Sequence, residues 1–293
     1  MTASRSGVLP VDKPEGPTSH DIVAAARRAL GVRRIGHTGT LDPFASGLLL
    51  LCVGTATRIA EYLTDLPKTY RARMRLGVAT DTCDATGTPV FESEAWRSLD
   101  RDRILEALRS QVGRIRQVPP AYSAKKVAGE RAYERVRRGE DVKLEPVEVE
   151  IYRIDLLGID LPDVEFDVEC SSGTYVRAIA RDVGAALGVG AHLRALRRTA
   201  IGRHHVSCAV PADRLDDPDA VESAWLSPLE ALSHLPRVEV DEREASALRH
   251  GRSLPWRGDL PHRPGPIAIV HQDALLAIGE FEDERLRPRK VLA

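Results

Sequence analysis

Six consecutive apolar residues, Leu48 to Val53 (LLLLCV), limit most strongly what this chain can become. The run is far too short to cross a bilayer, and glycines close it at both ends, Gly47 and Gly54. Side chains alternate across a strand, so an unbroken apolar run of this length predicts a strand buried on both faces. Such a strand belongs inside a sheet that is covered front and back. With 293 residues the chain can build that core as one large domain and still carry a small one.

The neighbouring segments supply the cover. GVLPV at 7–11 reads as a short strand, and a Pro/Gly-rich link leads to a helix starting at Thr18 or Ser19. Asp21 stands three residues after Thr18, as in a capping box, and Ile22, Val23, Ala26 and Leu30 form an apolar stripe that Gly31 stops. YRARMRL at 70–76 alternates strictly, with Tyr70, Ala72, Met74 and Leu76 on one face and Arg71, Arg73 and Arg75 on the other. Two uses of that arginine face stay open, a solvated sheet surface and a phosphate contact. A second helix is predicted between Ser98 and Gly113, carrying Ile104, Leu105, Leu108 and Val112. The stretch from about 114 to 140 combines Pro119-Pro120, a basic loop and a short basic helix, and reads as an excursion from the main sheet. Val164, Phe166, Val168 and Cys170 alternate with acids as a half-buried strand, and Val176, Ile179, Ala180, Val183 and Leu187 follow at helical spacing. Beyond Pro236 come a helix near 242–250, a Pro/Gly-rich loop and three probable strands, so residues 236–293 are expected to form a small β-rich domain after a main domain of 1–235.

Charge is balanced, 42 Lys and Arg against 43 Asp and Glu, so its distribution decides what it says about partners. Basic residues gather at 27–34, 68–75, 114–138 and 194–203, which predicts local basic surface, while acids crowd 141–169. Cys52, Cys83, Cys170 and Cys208 are scattered with no C-x-x-C pair and no histidine at ligand spacing, so a reduced cytoplasmic setting and no metal are expected. His204-His205 diverge if they lie on a strand. The N-terminus has no secretory apolar core.

The obvious catalytic patterns fail. GVGAHL at 188–193 is no dinucleotide loop, and DTCDATGTPVFE puts Cys83, Ala85 and Thr86 where a calcium loop needs ligands and glycine. No G-x-S-x-G or H-E-x-x-H occurs. What remains is GHTGTLDPFASG at 36–47, in which one acid, Asp42, stands between glycines and against Pro43. A loop aspartate in such a turn most often bonds its own backbone. A loop mounted directly on a buried strand is also where catalytic groups are usually carried.

The Asp42 segment, with GVLPVDKPEGPTSHDIV, KTYRARMRLGVATDTCDATG, VPPAYSAKKVAGERAYERVRRGE, CSSGTYVRAIARDVG and GAHLRALRRTAIG in the same order, resembles the bacterial TruB-type tRNA pseudouridine synthases over about 230 residues. The resemblance implies an α+β fold whose catalytic domain is a mixed, largely antiparallel sheet flanked by helices, followed by a PUA-like RNA-binding domain. It implies isomerisation of the T-loop uridine, position fifty-five of tRNA, without a cofactor. It makes Asp42 the reacting carboxylate, Tyr70 the ring that stacks on the target uracil, and Arg177 the partner of the aspartate. His37, Tyr175 and Leu196 are implied to seat the substrate and line the pocket, with Lys13 in support. Lys125, Lys126, Arg135 and Arg138 of the basic insert are then expected to grip the tRNA backbone. Arg177, read as a residue alone, would be a helix-surface cation beside Arg181.

The chemistry fits this set. Isomerisation breaks a glycosidic bond and remakes it at another ring atom with no redox step, so one ionised carboxylate serves as nucleophile or as base. A guanidinium in contact favours the charged form. Extruding the base from its loop costs a few kcal/mol, and stacking on Tyr70 returns about 1 to 3 kcal/mol. His37, partly protonated near neutrality, is expected to fill the gap left by the base or to hold a phosphate. The partner is tRNA, with neither membrane nor obligatory protein partner, and the chain is expected to be monomeric. Two other readings are weighed: a tRNA-folding module whose catalysis is incidental, and a guide-RNA-dependent relative of the dyskerin type, which the short tail disfavours.

Overall fold

In the computed structural model every residue of the strand Ser46–Val53 after Ser46 is buried, and this strand lies third from one end of a ten-stranded sheet. The structure describes residues 5–123, 125–127, 130–131, 135, 138–140, 144–255 and 265–292, without the side chains of residues 126, 127 and 131. In chain order the main sheet region comprises β1 (Gly7–Lys13), α1 (Ser19–Leu30), β2 (Ile35–His37), β3 (Ser46–Val53), α2 (Ala60–Thr64) and β4 (Lys68–Leu76). A hairpin of β5 (Val78–Thr80) and β6 (Pro89–Glu92) is followed by α3 (Arg101–Arg109), β7 (Gly113–Gln117) and a minimal hairpin, β8 (Lys126–Val127) with β9 (Glu130–Arg131). The region closes with β10 (Val147–Asp160), β11 (Asp163–Cys170), α4 (Val176–Ala186), β12 (Ala191–Ile201), β13 (His204–His205) and β14 (Val210–Pro211). The strand order is β14-β1-β3-β12-β4-β11-β10-β7, with β2 on β3 and β13 on β12. Only the β1–β14 and β3–β12 pairs are parallel, so the sheet is mixed and largely antiparallel.

The two faces of β3 explain its composition. Leu49, Leu51 and Val53 pack against Ile22, Val23 and Ala26 of α1. Leu48, Leu50 and Cys52 pack against Ile59 and Leu63 on the other side. Each such leucine buries apolar surface worth about 1.5–3 kcal/mol. Helix α1 starts where the Thr18 hydroxyl accepts from the Asp21 amide at 3.1 Å and the Asp21 carboxylate accepts from the Thr18 amide at 2.8 Å. It ends at Gly31, whose φ of 65° a side chain disfavours.

Two sequence expectations shift. Residues 113–117, taken as the start of the basic excursion, are strand β7 of the main sheet, because Ile115 has the core to bury against and pairs in register with Val149. Helix α3 stops at Arg109, so Val112 leaves the apolar stripe and is exposed. The short basic helix expected in the insert falls largely outside the described residues.

Helices α5 (Pro218–Ala224) and α6 (Pro228–Ala231) lead to a second, five-stranded sheet. It comprises β15 (Arg237–Glu239), α7 (Glu242–Arg249), β16 (Leu254–Pro255), β17 (Ile267–His271), β18 (Ala274–Glu282) and β19 (Arg285–Val291), in the order β15-β17-β18-β19-β16. Ile278 and Leu292 of this part join the cluster behind Leu48 and Leu50. Lys290 adds an ion pair to Glu61 of α2 at 2.7 Å, tying the second sheet to the first. No helix among the described residues is long and apolar enough to cross a membrane.

Candidate active site

Asp42 sits in the loop that enters β3, and the loop is pinned on both sides of it. The Leu41 amide donates to the buried Ser19 hydroxyl at 2.9 Å, and that hydroxyl donates back to the Leu41 carbonyl at 3.2 Å. On the far side the Gly16 amide donates to the Pro43 carbonyl at 2.8 Å. Gly47 then lets β3 run beside β12: a Cβ there would lie 2.2 Å from the Arg198 carbonyl oxygen, and φ is +104°. The carboxylate is thus delivered by a fixed backbone from the best-buried strand of the sheet.

Arg177 meets it from the start of α4. Gln117 fixes that helix start, accepting from the Tyr175 amide at 2.9 Å and donating to the Tyr175 carbonyl at 3.2 Å. The Arg177 side chain is only 5 % exposed, and its Nε lies 2.9 Å from Asp42 Oδ2. Its Nη1 donates to the Thr82 carbonyl at 2.8 Å and lies 3.4 Å from Asp84 Oδ2, while Nη2 donates to the Tyr122 carbonyl at 2.9 Å. Every edge of the guanidinium is held, so its position is set before any ligand arrives. It is no surface cation.

Asp84 is the second carboxylate of the set, and it is buried. Its Oδ1 accepts from the Thr82 hydroxyl at 2.8 Å, the Thr86 amide at 3.0 Å and the Thr86 hydroxyl at 2.6 Å, which leaves Oδ2 for Arg177. One guanidinium therefore serves two acids. Burial pushes the Asp42 carboxyl above its ordinary value, Arg177 pulls it down, and the negative charge of Asp84 pushes it up again. The net direction is upward, although the guanidinium in contact favours the charged form as the sequence reading expected. Loss of water and a shared arginine outweigh the ion pair.

Asp42 keeps 38 % of its side-chain surface open to a cleft of about 490 Å³. Tyr70, Leu196, Tyr175, Val149 and the Ser171–Thr174 turn line this cleft. Tyr70, on β4, is buried beside its register partner Arg198 of β12, which bonds its side chain, and burial raises its phenol so that it stays neutral. Tyr175 is half-buried, with its phenol also raised by burial. Asp42, Arg177, Tyr70, Tyr175 and Leu196 are thus brought together.

His37 is not among the lining residues. It stacks edge-on against His20 at 5.3 Å, its Nδ1 is buried without a hydrogen-bond partner, and burial lowers its pKa to about 4. The expected partial protonation near neutrality therefore does not occur, because the ring is desolvated beside two other basic groups, His20 and Arg198. Lys13 is buried, donating to the Pro14 carbonyl at 2.8 Å and the Pro17 carbonyl at 2.9 Å, and desolvation lowers its pKa to about 8. Of the insert, Lys125 lines the cleft mouth, Arg135 bonds Glu140 at 2.7 Å and Arg138 bonds Glu140 at 2.8 Å and Glu130 at 2.5 Å. The Lys126 side chain lies outside the described residues.

Sequence reasoning missed Asp84, Gln117, Lys68 and Arg198. Asp84 was visible only as part of a failed calcium loop, although the Thr-x-Asp-x-Thr spacing at 82–86 signals a carboxylate held by its neighbours. Lys68 and Arg198 were read as members of surface basic clusters, yet both are buried. Among the described residues no three His, Cys, Asp or Glu side chains gather as a metal site.

Comparison with known proteins points the same way. Residues 27–176 match the family model of the TruB family pseudouridylate synthase N-terminal domain, and residues 177–232 match that of the tRNA pseudouridylate synthase B C-terminal domain. The join falls beside Arg177, so the two family segments supply the two halves of the Asp42–Arg177 pair. The tRNA pseudouridine synthase B of Syntrophobacter fumaroxidans is 44 % identical over 93 % of this chain and 92 % of its own length. That of Mycobacterium tuberculosis is 45 % identical over 99 % of this chain and 96 % of its own. Among solved structures, an H/ACA RNP bound to a substrate RNA containing 2′-deoxyuridine superposes with a TM-score of 0.76 at 27 % identity, covering 98 % of this chain and 85 % of the other. A Cbf5-Nop10-Gar1 complex gives 0.73 at 28 % identity, with 98 % and 85 % covered.

Proposed function

Because this chain belongs to the TruB family of pseudouridylate synthases and so converts uridine in tRNA to pseudouridine, we propose that it acts on the T-loop uridine with Asp42 as its single reacting carboxylate. The observation that carries this reading is the Asp42–Arg177 contact of 2.9 Å at the wall of a cleft of about 490 Å³, roomy enough for an extruded nucleoside.

The reaction conserves its atoms. The N1–C1′ bond breaks, the uracil turns, a C5–C1′ bond forms, the C5 proton leaves and N1 gains one. Asp42 serves as nucleophile or as the base at C2′, and both uses require the ionised form. Arg177 holds that form and aims it, and Asp84 in turn aims Arg177. Tyr70 offers its ring to the flipped uracil and Leu196 closes the other wall, returning part of the unstacking energy. His37, neutral and packed on His20, shapes the loop that carries Asp42. Lys125, Lys126, Arg135 and Arg138 meet tRNA phosphates. The second sheet, residues 236–293, is an RNA-binding unit of PUA-like kind, and the chain works as a cytoplasmic monomer without guide RNA or cofactor. Relatives at 44–45 % identity over nearly the whole chain support direct action on tRNA.

The test uses the full chain, a T-arm transcript and no added cofactor, with pseudouridine mapped by position and release of the C5 hydrogen followed in time. Pseudouridine at the T-loop uridine alone is expected. Modification confined to another uridine overturns the site assignment.

A further inference from the structure

Buried lysines and arginines are rare unless an acid pairs with them. Among the described residues four are buried, Lys13, Lys68, Arg177 and Arg198; the last three line the Asp42 cleft, and Lys13 feels the charge of Asp42 through space. Arg177 takes the two carboxylates in contact with it, Asp42 and Asp84, while Glu15 and Asp65 act on Lys13 and Lys68 through space without forming an ion pair. Lys68 and Arg198 have no ion-pair partner among the described residues.

Both line the cleft. Lys68 lies two residues before Tyr70 on β4, so it shares the face of Tyr70. Its Nζ donates to the Thr64 carbonyl and, at 2.6 Å, to the Leu66 carbonyl, which leaves a third N–H. Arg198 donates through Nε to the Leu48 carbonyl at 2.7 Å and through Nη2 to the Gly39 carbonyl at 3.1 Å. Neutral carbonyls orient these two cations and do not cancel their charge. A role for Lys68 as the closing cation of α2 accounts for its two carbonyl bonds. It does not account for a second unpaired cation beside it at the same cavity wall.

We propose that Lys68 and Arg198 form an anion subsite that receives a phosphodiester group flanking the extruded uridine. This rests on the cleft being the uridine site. The subsite supplies a counter-charge only when the nucleotide has left its stack, so it favours the flipped state specifically, whereas the basic insert serves the folded tRNA as a whole.

A synthetic T-arm hairpin carrying an uncharged methylphosphonate on the 5′ or the 3′ side of the target uridine tests this against the native hairpin. Rates are measured for the wild-type chain and for Lys68→Met and Lys68→Arg. One of the two neutral linkages is expected to slow the wild type by about ten- to a hundredfold, the range of a hydrogen bond to a charged group. Lys68→Met slows the native RNA by a similar factor, the two changes together lose no more than either alone, and Lys68→Arg keeps its sensitivity to the linkage. Losses that multiply would assign Lys68 to helix closure and overturn the proposal. So would a wild type indifferent to both linkages, an outcome independent of how any variant folds. A wild type that leaves the native T-loop uridine unmodified sinks the cleft reading itself, and is told apart by that control.

Discussion

Strand β4 has two faces, and they treat positive charge in opposite ways. On the outer face Arg71, Arg73 and Arg75 lie beside the acids of β11 in register: Arg71 bonds Asp167 at 3.0 Å, Arg75 bonds Asp163 at 2.9 Å, and Arg73 reaches Asp163 at 3.1 Å. Arg194 and Arg197 of β12 extend the row, paired with Asp163 and Asp12. All five arginines are at least a third exposed. On the inner face Lys68 is 5 % exposed, forms no ion pair among the described residues and lines the cleft. Of the two uses left open for the arginine face, the structure shows the ion pairs of a solvated sheet surface. The arginines of this row are solvated while the one buried acid, Asp163, is held by three of them, so no single arginine there carries much, whereas a buried cation without an acid is retained at a cost that a ligand can offset.

The sharpest way to break this contrast is at Asp42. Asp42→Asn is expected to lower turnover by at least about 10³-fold while tRNA affinity stays within a few-fold, measured by C5-hydrogen release and filter binding. Near-normal turnover would make Asp42 a structural residue and erase the distinction between the faces.

Arg177→Met comes next, because it strips the buried Asp84 and the half-buried Asp42 of their shared cation. Breaking a buried pair this way costs about 3–5 kcal/mol of stability, read from denaturant melts. The same variant sharpens the pH dependence. Asp42 already titrates above the ordinary carboxylate value, so wild-type activity is expected to fall as pH drops through that raised value, and loss of Arg177 moves the acid limb to higher pH. The sign for stability is opposite to that for activity. A carboxyl whose folded pKa is raised contributes stability below its unfolded value and loses that contribution as pH rises through the folded one. An acid limb that stays in place when Arg177 is removed would mean that the pair does not set the titration of Asp42.

The smallest effect belongs to the outer face. Arg73→Gln is expected to change stability by no more than about 1 kcal/mol, since Arg73 is 43 % exposed and its buried partner Asp163 keeps Arg75 and Arg194, and to leave turnover within about twofold. A large loss of tRNA binding in this variant would restore the phosphate-contact reading of the arginine row.

What could be read from residue order followed their periodicity. The run at Leu48–Val53, the alternation at 70–76 and 164–170 and the stripe at 176–187 each appear where expected, because burial by period 2 or 3.6 is a local property of the chain. Arg177 shows the limit. Its place at the start of a helix was legible, but by residue type alone it was a surface cation, and only the resemblance tied it to Asp42. Asp84 carried only the Thr-x-Asp-x-Thr spacing around it, and Gln117 carried no signal. The excursion near 114 was misplaced because Arg114 and Arg116 look like loop composition, whereas Ile115 between them makes an edge strand.

The amino-acid order by itself determined the strongly periodic strands and helices, where the doubly buried strand lies, and that one acid stands in the loop before it. Only the tertiary structure decided which charges are spent on each other. The acids of 163–167 reach back to the arginines of 71–75, and Lys68 and Arg198 are left without an ion pair among the described residues, because charge compensation across strands depends on register between segments far apart in the chain.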